Sequence, residues 1–325
     1  MKKSEGTVPT MLKTGKATRA AYGETLLELI KEDHEIVALD ADLASSTTTG
    51  KVGEVYPERF FNNGIAEANM ICAAAGLALS GQTAFTGSFA VFGTGRVYDQ
   101  IRNTVCYNNL DVKIAPTHSG VTVGPDGGSH QMLEDIALMR VLPNMRVLVP
   151  ADYSSAKAAV RFAALTPGPF YVRLGRAGVP DVYGEGSITG KEIADPTKAN
   201  VIIAGSDVTI AACGIEVAQA IEAAELLASE GISAEVIDVM CIKPLDVETI
   251  LLSVKKTGKL LTAEEHNVMG GMGSAISEVL SEIYPVPTRR VGVADHFGTS
   301  GSPEELIEYF KLDAHSITAA AKELL

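Results

Sequence analysis

The sequence predicts an α/β protein with two domains, each built on a largely parallel β-sheet that helices flank. Short apolar runs typical of buried strands alternate with longer runs of helical periodicity along most of the 325 residues. The alternation breaks between residues 175 and 200, where Gly, Pro, Asp and Tyr accumulate. Apolar strands that alternate with helices are typical of a parallel sheet covered on both faces, and the break predicts a domain boundary.

The first domain is expected at residues 15–185, after a loosely held, flexible polar tail at 1–14. Thr18 is expected to cap a first helix that runs to residue 33. Alternating strands and helices follow it. Strands are expected at 35–42, 60–63, 82–89, 111–118, 146–150 and 170–174, and helices at 67–80, after 89 through 107, at 134–142 and at 153–165.

The second, smaller domain is expected at residues 186–325. It continues the alternation of strands and helices without repeating any motif of the first half. Its alternating segments are 208–213, 215–229, 232–239, 260–264, 272–282 and 290–294, with a Lys-Pro-Leu-Asp turn at 243–246.

The overall charge argues against two classes of partner. The chain has 27 Lys and Arg against 40 Asp and Glu, which gives a net charge of −13. A nucleic acid or an anionic membrane would need a basic face, so we expect neither as a partner. Because the global charge is acidic, any anionic substrate must meet a local basic pocket.

The cysteines and histidines do not have the spacing of a metal site or a disulfide framework. The four cysteines form no C-x-x-C pair, and the six histidines form no H-E-x-x-H motif. No apolar run is long enough to cross a bilayer, and no secretory signal is recognisable. We therefore expect a cytoplasmic protein with reduced thiols and no metal ligands of its own.

Glu67 stands at the start of an apolar helix. A glutamate at this position commonly complements the helix dipole, which favours the ionised form by about 1 kcal/mol or less. Burial acts in the opposite direction and can raise the pKa of a carboxyl by several units. A buried Glu67 would therefore be a poised acid, whereas an exposed one would be an ordinary helix-start residue.

Two further groups of residues have both a structural and a functional interpretation. Phe89 and Phe92 are either core residues or the wall of a site for a flat heteroaromatic ring. His118, Asp126 and His130 bracket a glycine-rich loop, 119–129, which favours a polar site. No neighbouring Ser or Cys forms a nucleophile elbow, so a hydrolase triad is not expected.

Three arginines lie near the edges of predicted elements, Arg19, Arg173 and Arg176. Surface arginines are usually just solvated. If these three converge, their guanidinium groups would bind a phosphate with paired hydrogen bonds.

Together these segments resemble the thiamine-diphosphate enzymes of the transketolase family. The likeness runs in order from residue 15 to the C-terminus. Its ten motifs are ATRAAYG (17–23), ALDADLASST (38–47), GIAEANM (64–70), FAVF (89–92), YDQIR (98–102), THSG (117–120), GPDGGSHQ (124–131), YVRLGR (171–176), IKPLD (242–246) and EEHNVMGGMG (264–273). Each motif alone is weak, but ten in the same order are highly specific.

The resemblance implies that the chain comprises the pyrimidine-binding domain and the C-terminal domain of that family. The domain that holds the cofactor diphosphate through a divalent metal has no counterpart, since its G-D-G motif and downstream Asn are missing. The chain would then be the C-terminal subunit of a split transketolase, inactive alone. A separate N-terminal subunit would complete the site and hold most of the Mg²⁺ contacts, in a two-plus-two heterotetramer with a dimeric core.

The resemblance also implies roles for single residues around the cofactor and the sugar. Glu67 matches the glutamate that hydrogen-bonds the aminopyrimidine ring, and Phe89 and Phe92 match the aromatic wall on that ring. His130 matches the histidine near the reacting oxygens of the donor. Asp126 matches the aspartate that reads a hydroxyl of the acceptor.

The far end of the sugar phosphate has its own group of matching residues. Arg19, Ser46, His118 and Arg176 match the phosphate ligands, and Arg173 is a further candidate. Several donors on one phosphate suit its charge and its three oxygens. The substrates implied by the resemblance are therefore sugar phosphates.

Three alternatives remain open. The beta subunit of a 2-oxo acid dehydrogenase first component has a similar length and glutamate but passes an acyl group to lipoamide. A 1-deoxyxylulose-5-phosphate synthase shares YDQIR and the glycine-rich loop but is ordinarily one long chain. A non-catalytic assembly subunit could have kept the fold. The phosphate group and the loop at 124–131 favour transketolase, while the physiological sugar stays open.

Overall fold

The computed structural model describes residues 14–32 and 35–325 and contains three β-sheets. The strands are β1 (Thr14–Ala17), β2 (Ile36–Asp40), β3 (Phe60–Asn62), β4 (Thr83–Gly87), β5 (Val112–Ile114), β6 (Arg146–Leu148), β7 (Phe170–Val172), β8 (Gly178–Pro180), β9 (Asn200–Ile203), β10 (Val208–Ala212), β11 (Ala234–Asp238), β12 (Cys241–Lys243), β13 (Leu260–Asn267) and β14 (Thr288–Val293).

Helices of very different length connect these strands. They are α1 (Thr18–Lys31), α2 (Ala44–Thr47), α3 (Gly50–Val55), α4 (Glu67–Leu79), α5 (Asp135–Arg140), α6 (Tyr153–Leu165), α7 (Glu216–Ser229), α8 (Val247–Thr257), α9 (Met272–Ile283), α10 (Pro303–Tyr309) and α11 (Ala314–Lys322). Short 3₁₀ segments lie at Pro57–Arg59 and Val121–Asp126, and π-helical segments at Val91–Gly95 and Gln100–Cys106. In the described part of the chain, no helix has the length and apolar character needed to span a membrane.

Two of the three sheets are the centres of the two α/β units. One has seven strands in the order β12-β6-β7-β5-β4-β2-β3, and all neighbours are parallel except β12 with β6. The other has the order β14-β13-β10-β11-β9 and is parallel except for its edge strand β9. Strand β1 pairs antiparallel with β8. The predicted α/β class with two largely parallel, helix-flanked sheets is confirmed.

Helices cover both faces of the seven-stranded sheet because its strands are apolar on both faces. On one face α1 and α6 pack together, and Leu26, Phe85 and Val160 belong to one buried cluster. On the other face lies α4, whose buried Ala74 and Ala75 allow the helix to approach β4 closely. Glu67, the predicted acid, is the first residue of this helix.

Several predicted strands end earlier than expected at their carboxyl ends. The strand expected at 82–89 stops at Gly87, and the one expected at 111–118 stops at Ile114. Beyond these points only Phe89 and Thr117 form an isolated bridge. The chain therefore leaves regular strand pairing before Ser88, Thr117 and His118, all of which are buried. Helix α6, by contrast, has the bounds predicted for it.

Two expectations for the N-terminal region need correction. Thr14 was expected in the tail but begins β1, while residues 1–13 lie outside the described residues. Thr18 does not cap α1 with its side chain, because it is itself the first helical residue after Ala17. Its hydroxyl oxygen instead accepts a hydrogen bond from the N–H of Gly175, at 2.8 Å.

The helix predicted between residues 89 and 107 contains two π-helical segments. A π turn inserts one extra residue per turn, and such bulges occur often at functional sites. Side chains after the first segment are therefore rotated relative to those of a regular α-helix. This rotation decides where Arg96 points.

The two α/β units are joined by more than the connecting chain. Tyr183, in the predicted boundary segment, donates its N–H to Asp152 at 2.8 Å and its hydroxyl to Asp238 at 2.6 Å. Strand β12 comes from the second half of the sequence but extends the sheet of the first half, beside β6. The predicted turn at 243–246 follows it, and Asp246 caps α8.

Candidate active site

The predicted site residues lie where parallel strands of the large sheet end. Phe89 follows β4, His118 follows β5 and Arg176 follows β7, while Arg19 lies in the first turn of α1. The carboxyl ends of parallel strands meet at one edge of a sheet, where α/β proteins bind their ligands. The topology thus brings residues from distant parts of the sequence to one cleft.

Glu67 is the first residue of α4, and its side chain is only 5% exposed. Its Oε1 atom accepts a hydrogen bond from Nη1 of Arg96 at 2.9 Å. The sequence therefore predicted the position of the carboxyl but missed its cationic neighbour. A guanidinium thus lies beside this buried carboxyl, in addition to the apolar helix that follows it.

Arg96 also lies on the face of an aromatic ring. Its guanidinium carbon is 4.4 Å from the ring centroid of Phe92, in the geometry of a cation–π contact. Phe89 and Phe92 stack with 6.2 Å between centroids and 15° between planes. A planar N–H group thus already rests on Phe92 while it donates to Glu67. These residues fit a flat nitrogen heterocycle that stacks and donates or shares a proton in the same way.

Two histidines continue the aromatic surface away from Glu67. The ring of His118 stacks on Phe89 with centroids 3.7 Å apart, and the ring of His130 meets Phe92 edge-on at 5.5 Å. Burial, followed by the charges of nearby Arg19 and others, lowers the pKa of His118 to about 3. His118 is therefore neutral at physiological pH and offers one donor and one acceptor nitrogen.

Two arginines stand beside His118. Nη1 of Arg19 donates to the backbone oxygen of Ser46 at 2.8 Å, and Nη1 of Arg176 donates to the backbone oxygen of Val123 at 2.6 Å. Within residues 14–32 and 35–325, no carboxylate forms a salt bridge with either guanidinium. Burial and the charge of Arg176 lower the pKa of Arg19. Two neighbouring cations can both donate charge-assisted hydrogen bonds to one bound anion.

The segment that carries Ser46 is organised by a buried residue that sequence reasoning missed. Asp40, the last residue of β2, accepts hydrogen bonds from the hydroxyls of Thr47 and Thr49 at 2.7 and 2.8 Å. Thr48, between them, has a left-handed φ of 71° and donates its hydroxyl to the backbone oxygen of Arg19 at 2.7 Å. The available signal was a carboxylate at the end of an apolar strand, followed by a Ser- and Thr-rich segment.

Arg173 is the predicted phosphate ligand that the structure places elsewhere. Its Nε donates to Asp135 at 2.7 Å, and its Nη2 donates to the backbone oxygens of Glu265 and Met132 at 2.9 and 3.4 Å. The side chain is only 6% exposed. Arg173 therefore joins the two α/β units and is not a member of the anion cluster. Its predicted role as a phosphate ligand stays a prediction, which these contacts do not favour because Nε and Nη2 are already engaged.

The predicted glycine-rich loop is an ordered structure. Its 3₁₀ segment, Val121–Asp126, ends at the exposed Asp126, and the N–H of His130 donates to the oxygen of Gly127 at 2.9 Å. Asp126 lies in this loop between Val123 and His130. The loop thus connects the anion cluster to the aromatic surface.

Known proteins match the chain along nearly its whole length. Residues 14–181 match the transketolase pyrimidine-binding domain family, and residues 197–317 match the transketolase C-terminal domain family. The chain is 43% identical to the 6-deoxy-6-sulfo-D-fructose transketolase subunit SqwH of a Clostridium species, over 94% of this chain and 94% of that protein. It is 37% identical to one of the subunits of the apulose-4-phosphate transketolase of Phocaeicola vulgatus, over 95% of this chain and 97% of that protein.

A solved structure shows the same relation. The chain superposes with a TM-score of 0.86 and 48% identity on a split gene transketolase described as an inactive beta4 tetramer, covering 96% of this chain and 98% of that one. This agreement extends over both α/β units. Two relatives that it matches along nearly their full length are named as transketolase subunits, and the chain belongs to the transketolase family.

Proposed function

We propose that this chain is the C-terminal subunit of a two-subunit transketolase. With an N-terminal subunit, it moves a two-carbon ketol unit from a ketose phosphate to an aldose phosphate by means of thiamine diphosphate. The observation that carries the proposal is a row of side chains in contact that ends beside two cations. The contacts run from Glu67 through Arg96 and Phe92 to His130 and Phe89 and on to His118, and the charges of Arg19 and Arg176 lie near enough to His118 to lower its pKa.

At one end of this row, Glu67, Phe89 and Phe92 are the proposed contacts of the aminopyrimidine ring. When bound, thiamine diphosphate supplies a carbon nucleophile for the ketose carbonyl. Glu67 holds a proton in a hydrogen bond to the ring, and the two phenylalanines hold the ring flat. Arg96 has to move aside, which is feasible because its side chain is half exposed. The N-terminal subunit is proposed to hold the diphosphate and most of the Mg²⁺ contacts.

In the middle of the row, His130 and Asp126 are the proposed contacts of the sugar's reacting end. His130 lies edge-on to Phe92 and Phe89, so it faces the space beside the ring that those residues hold. An imidazole there can donate to the oxygens of the donor ketose or exchange a proton with them. Asp126 is exposed in the same loop and can accept a hydrogen bond from a hydroxyl of the acceptor.

At the far end, Arg19, Arg176 and His118 are the proposed ligands of the terminal phosphate, together with Ser46. Two cations and a neutral imidazole donor supply charge-assisted hydrogen bonds to several oxygens of one anion. This cluster favours a sugar that carries a terminal anionic group over a lipoyl acceptor, which has none. It therefore argues against the beta subunit of a 2-oxo acid dehydrogenase. It argues equally against a purely structural subunit, which would not need it.

The direct test is an assay of the complex formed with the polypeptide that co-purifies with this chain. With thiamine diphosphate and Mg²⁺, xylulose 5-phosphate and ribose 5-phosphate should give sedoheptulose 7-phosphate. A parallel series with sulfonated and branched sugars tests the substrates named for the two relatives above. Acyl transfer from a 2-oxo acid to a lipoyl group, without ketol transfer, would overturn the proposal. Formation of deoxyxylulose 5-phosphate and CO2 from pyruvate and glyceraldehyde 3-phosphate would support the synthase instead.

The proposed assembly and location have separate tests. We propose that the chain self-associates and forms a two-plus-two heterotetramer with the N-terminal subunit, since the matched split transketolase is itself a tetramer of one subunit. Native mass spectrometry of the co-purified complex measures this stoichiometry directly. The enzyme is proposed to act in the cytoplasm, and cell fractionation with antibody detection checks that location.

A further inference from the structure

The loop that carries Asp126 and His130 is held by the second α/β unit. Oε1 of Glu265, in β13, accepts a hydrogen bond from the backbone N–H of Thr122 at 2.6 Å. Nε2 of Gln131, at the other end of the loop, donates to the backbone oxygen of Thr299 at 2.8 Å. The glycine-rich loop is therefore hydrogen-bonded near both ends to residues from the last quarter of the chain.

The contact between Glu265 and the loop is too close for a side chain to intervene. Gly120 has a φ of 79°, and a Cβ atom built on it would lie 2.1 Å from Cδ of Glu265. A left-handed φ already favours glycine, and the carboxylate occupies the space that any side chain would need. The loop backbone is thus packed directly onto this one carboxylate.

Arg173 contacts Glu265 and supports its position. The side chain of Glu265 is only 4% exposed, and its Oε2 atom lies 3.8 Å from Nη1 of Arg173. Arg173 also donates to the backbone oxygen of Glu265 at 2.9 Å and is anchored by Asp135. Burial raises the pKa of Glu265, while the charge of Arg173 opposes that rise. The carboxylate therefore has a supported position and a counter-charge.

The held segment leads directly to the anion cluster. Thr122, whose N–H is bound by Glu265, is followed by Val123, whose backbone oxygen accepts the hydrogen bond from Arg176. Only four backbone dihedral angles separate the N–H of Thr122 from the oxygen of Val123, and both residues are buried in one short 3₁₀ segment, so a shift of Thr122 is expected to displace the anchor of that guanidinium. Glu265 is therefore two contacts away from a proposed phosphate ligand, although it comes from the other α/β unit.

We propose that Glu265 is a positioning residue for the sugar-phosphate site. By holding Thr122, it sets the place of Arg176, Asp126 and His130, so that the C-terminal domain takes part in substrate binding. This inference rests on the proposed function for its kinetic consequence. The hold on the loop can be measured without any enzyme activity.

Glu264 provides a matched control. It is the neighbouring residue and equally buried, but its carboxylate accepts from the N–H groups of Met272 and Gly273, at 2.7 and 2.8 Å. These groups begin α9, so Glu264 stabilises a helix end of the C-terminal domain. Aspartate at either position therefore removes a hydrogen bond of a buried carboxylate. Only the hydrogen bond of Glu265 is made to the glycine-rich loop.

The experiment compares Glu265→Asp, Glu265→Gln and Glu264→Asp. Aspartate keeps the charge beside Arg173 but is one carbon too short to reach Thr122, whereas glutamine keeps the acceptor oxygen. In the reconstituted complex, Glu265→Asp should raise KM for the phosphorylated donor and acceptor by about tenfold with a smaller change in kcat. In the separate variant Glu265→Gln, KM should stay within about threefold of the value for the unsubstituted complex. In Glu264→Asp, KM should be unchanged.

Amide hydrogen exchange on the full chain gives the second readout. Glu265→Asp should speed exchange of the Thr122 amide by about tenfold, and Glu264→Asp should do so for Met272 and Gly273 instead. Unchanged exchange at Thr122 and unchanged KM in Glu265→Asp would overturn the inference. Equal rises of KM in both aspartate variants would also overturn it, because they would indicate a loss of stability only. If the unsubstituted complex transfers no ketol unit, the proposed function fails, and the exchange at Thr122 still decides whether Glu265 holds the loop.

Discussion

Glu67 and Glu265 are both buried carboxylates beside an arginine, but the two arginines have different surroundings. The side chain of Arg96 is 50% exposed and rests on Phe92, whereas that of Arg173 is 6% exposed. A guanidinium at the surface can leave its carboxylate at small cost because water solvates it again. An enclosed one cannot, since the guanidinium itself would remain a buried charge without its partners. The first pair therefore suits a binding site, and the second suits a permanent joint.

The largest effect should follow from replacing the carboxyl of Glu67, whose partner Arg96 is half exposed and can move away. Glu67→Gln should lower kcat of the reconstituted complex by about two to four orders of magnitude, because the proposed proton exchange with the ring is lost. Assembly should be intact, which native mass spectrometry checks. Near-normal turnover would remove Glu67 from the proposed chemistry, and loss of the complex would show that its role is structural.

The two arginines offer the most direct contrast. Arg173→Met should lower the free energy of unfolding by about 3 to 5 kcal/mol, because Asp135 loses its buried partner. Arg96→Met should lower it by less than Arg173→Met does, because the guanidinium of Arg96 is half exposed, although Glu67 itself is only 5% exposed. Urea denaturation of both variants of the full chain measures the difference. Losses of equal size would refute the distinction between an exchangeable and a permanent partner.

Asp238 extends this comparison, because it is a third buried carboxyl whose partner is a tyrosine, Tyr183, and not an arginine. Burial raises the pKa of Asp238 to about 7, although the hydroxyl of Tyr183 donates to it. Because the pKa of Asp238 is raised in the fold, its contribution to the free energy of unfolding is fully present below about pH 4, the pKa of an aspartate in an unfolded chain. This contribution is lost as the pH rises towards 7.

Unfolding of the unsubstituted chain should therefore become easier by about 2 kcal/mol between pH 5 and pH 8 relative to Asp238→Asn. Thermal denaturation of both proteins across this range measures the effect. Parallel pH profiles would mean that Asp238 remains ionised in the fold.

A smaller effect is expected at the anion cluster. Arg176→Ala should raise KM for phosphorylated substrates by about tenfold, which corresponds to the loss of one charge-assisted hydrogen bond. Steady-state kinetics of the complex measure it, with Arg161→Ala as the control. Arg161 forms surface salt bridges with Glu28 and Glu32, away from the cleft, so its removal should leave KM unchanged. An unchanged KM in Arg176→Ala would place the phosphate elsewhere.

The fold was largely predictable because its signals are local. Apolar strands that alternate with helices indicated two parallel sheets, and the bounds of α6 were predicted to the residue. The strand β12 was not predictable, since three residues pair across nearly a hundred positions with β6. The π-helical turns were missed as well, because nothing in a local pattern of apolar residues distinguishes them from an α-helix.

The candidate site was predicted in part, and the failures have a common cause. Motif resemblance indicated Arg19, Ser46, His118 and Arg176, and the structure does bring these residues together. It also indicated Arg173, whose partners Asp135 and Glu265 are 38 and 92 positions away. Arg173 and Arg176 are three residues apart and look alike in the sequence. Their roles differ because their partners differ, and those partners lie far away along the chain.

By itself, the sequence determined the α/β class, the family and the position of Glu67 at a helix start, because periodicity and ordered motifs are properties of neighbouring residues. The tertiary structure alone decided which arginine faces which carboxylate, and that Glu265 of the C-terminal domain holds the loop of the other domain. Charge pairing and burial depend on distances in space, and those distances exist only once the sheets have packed.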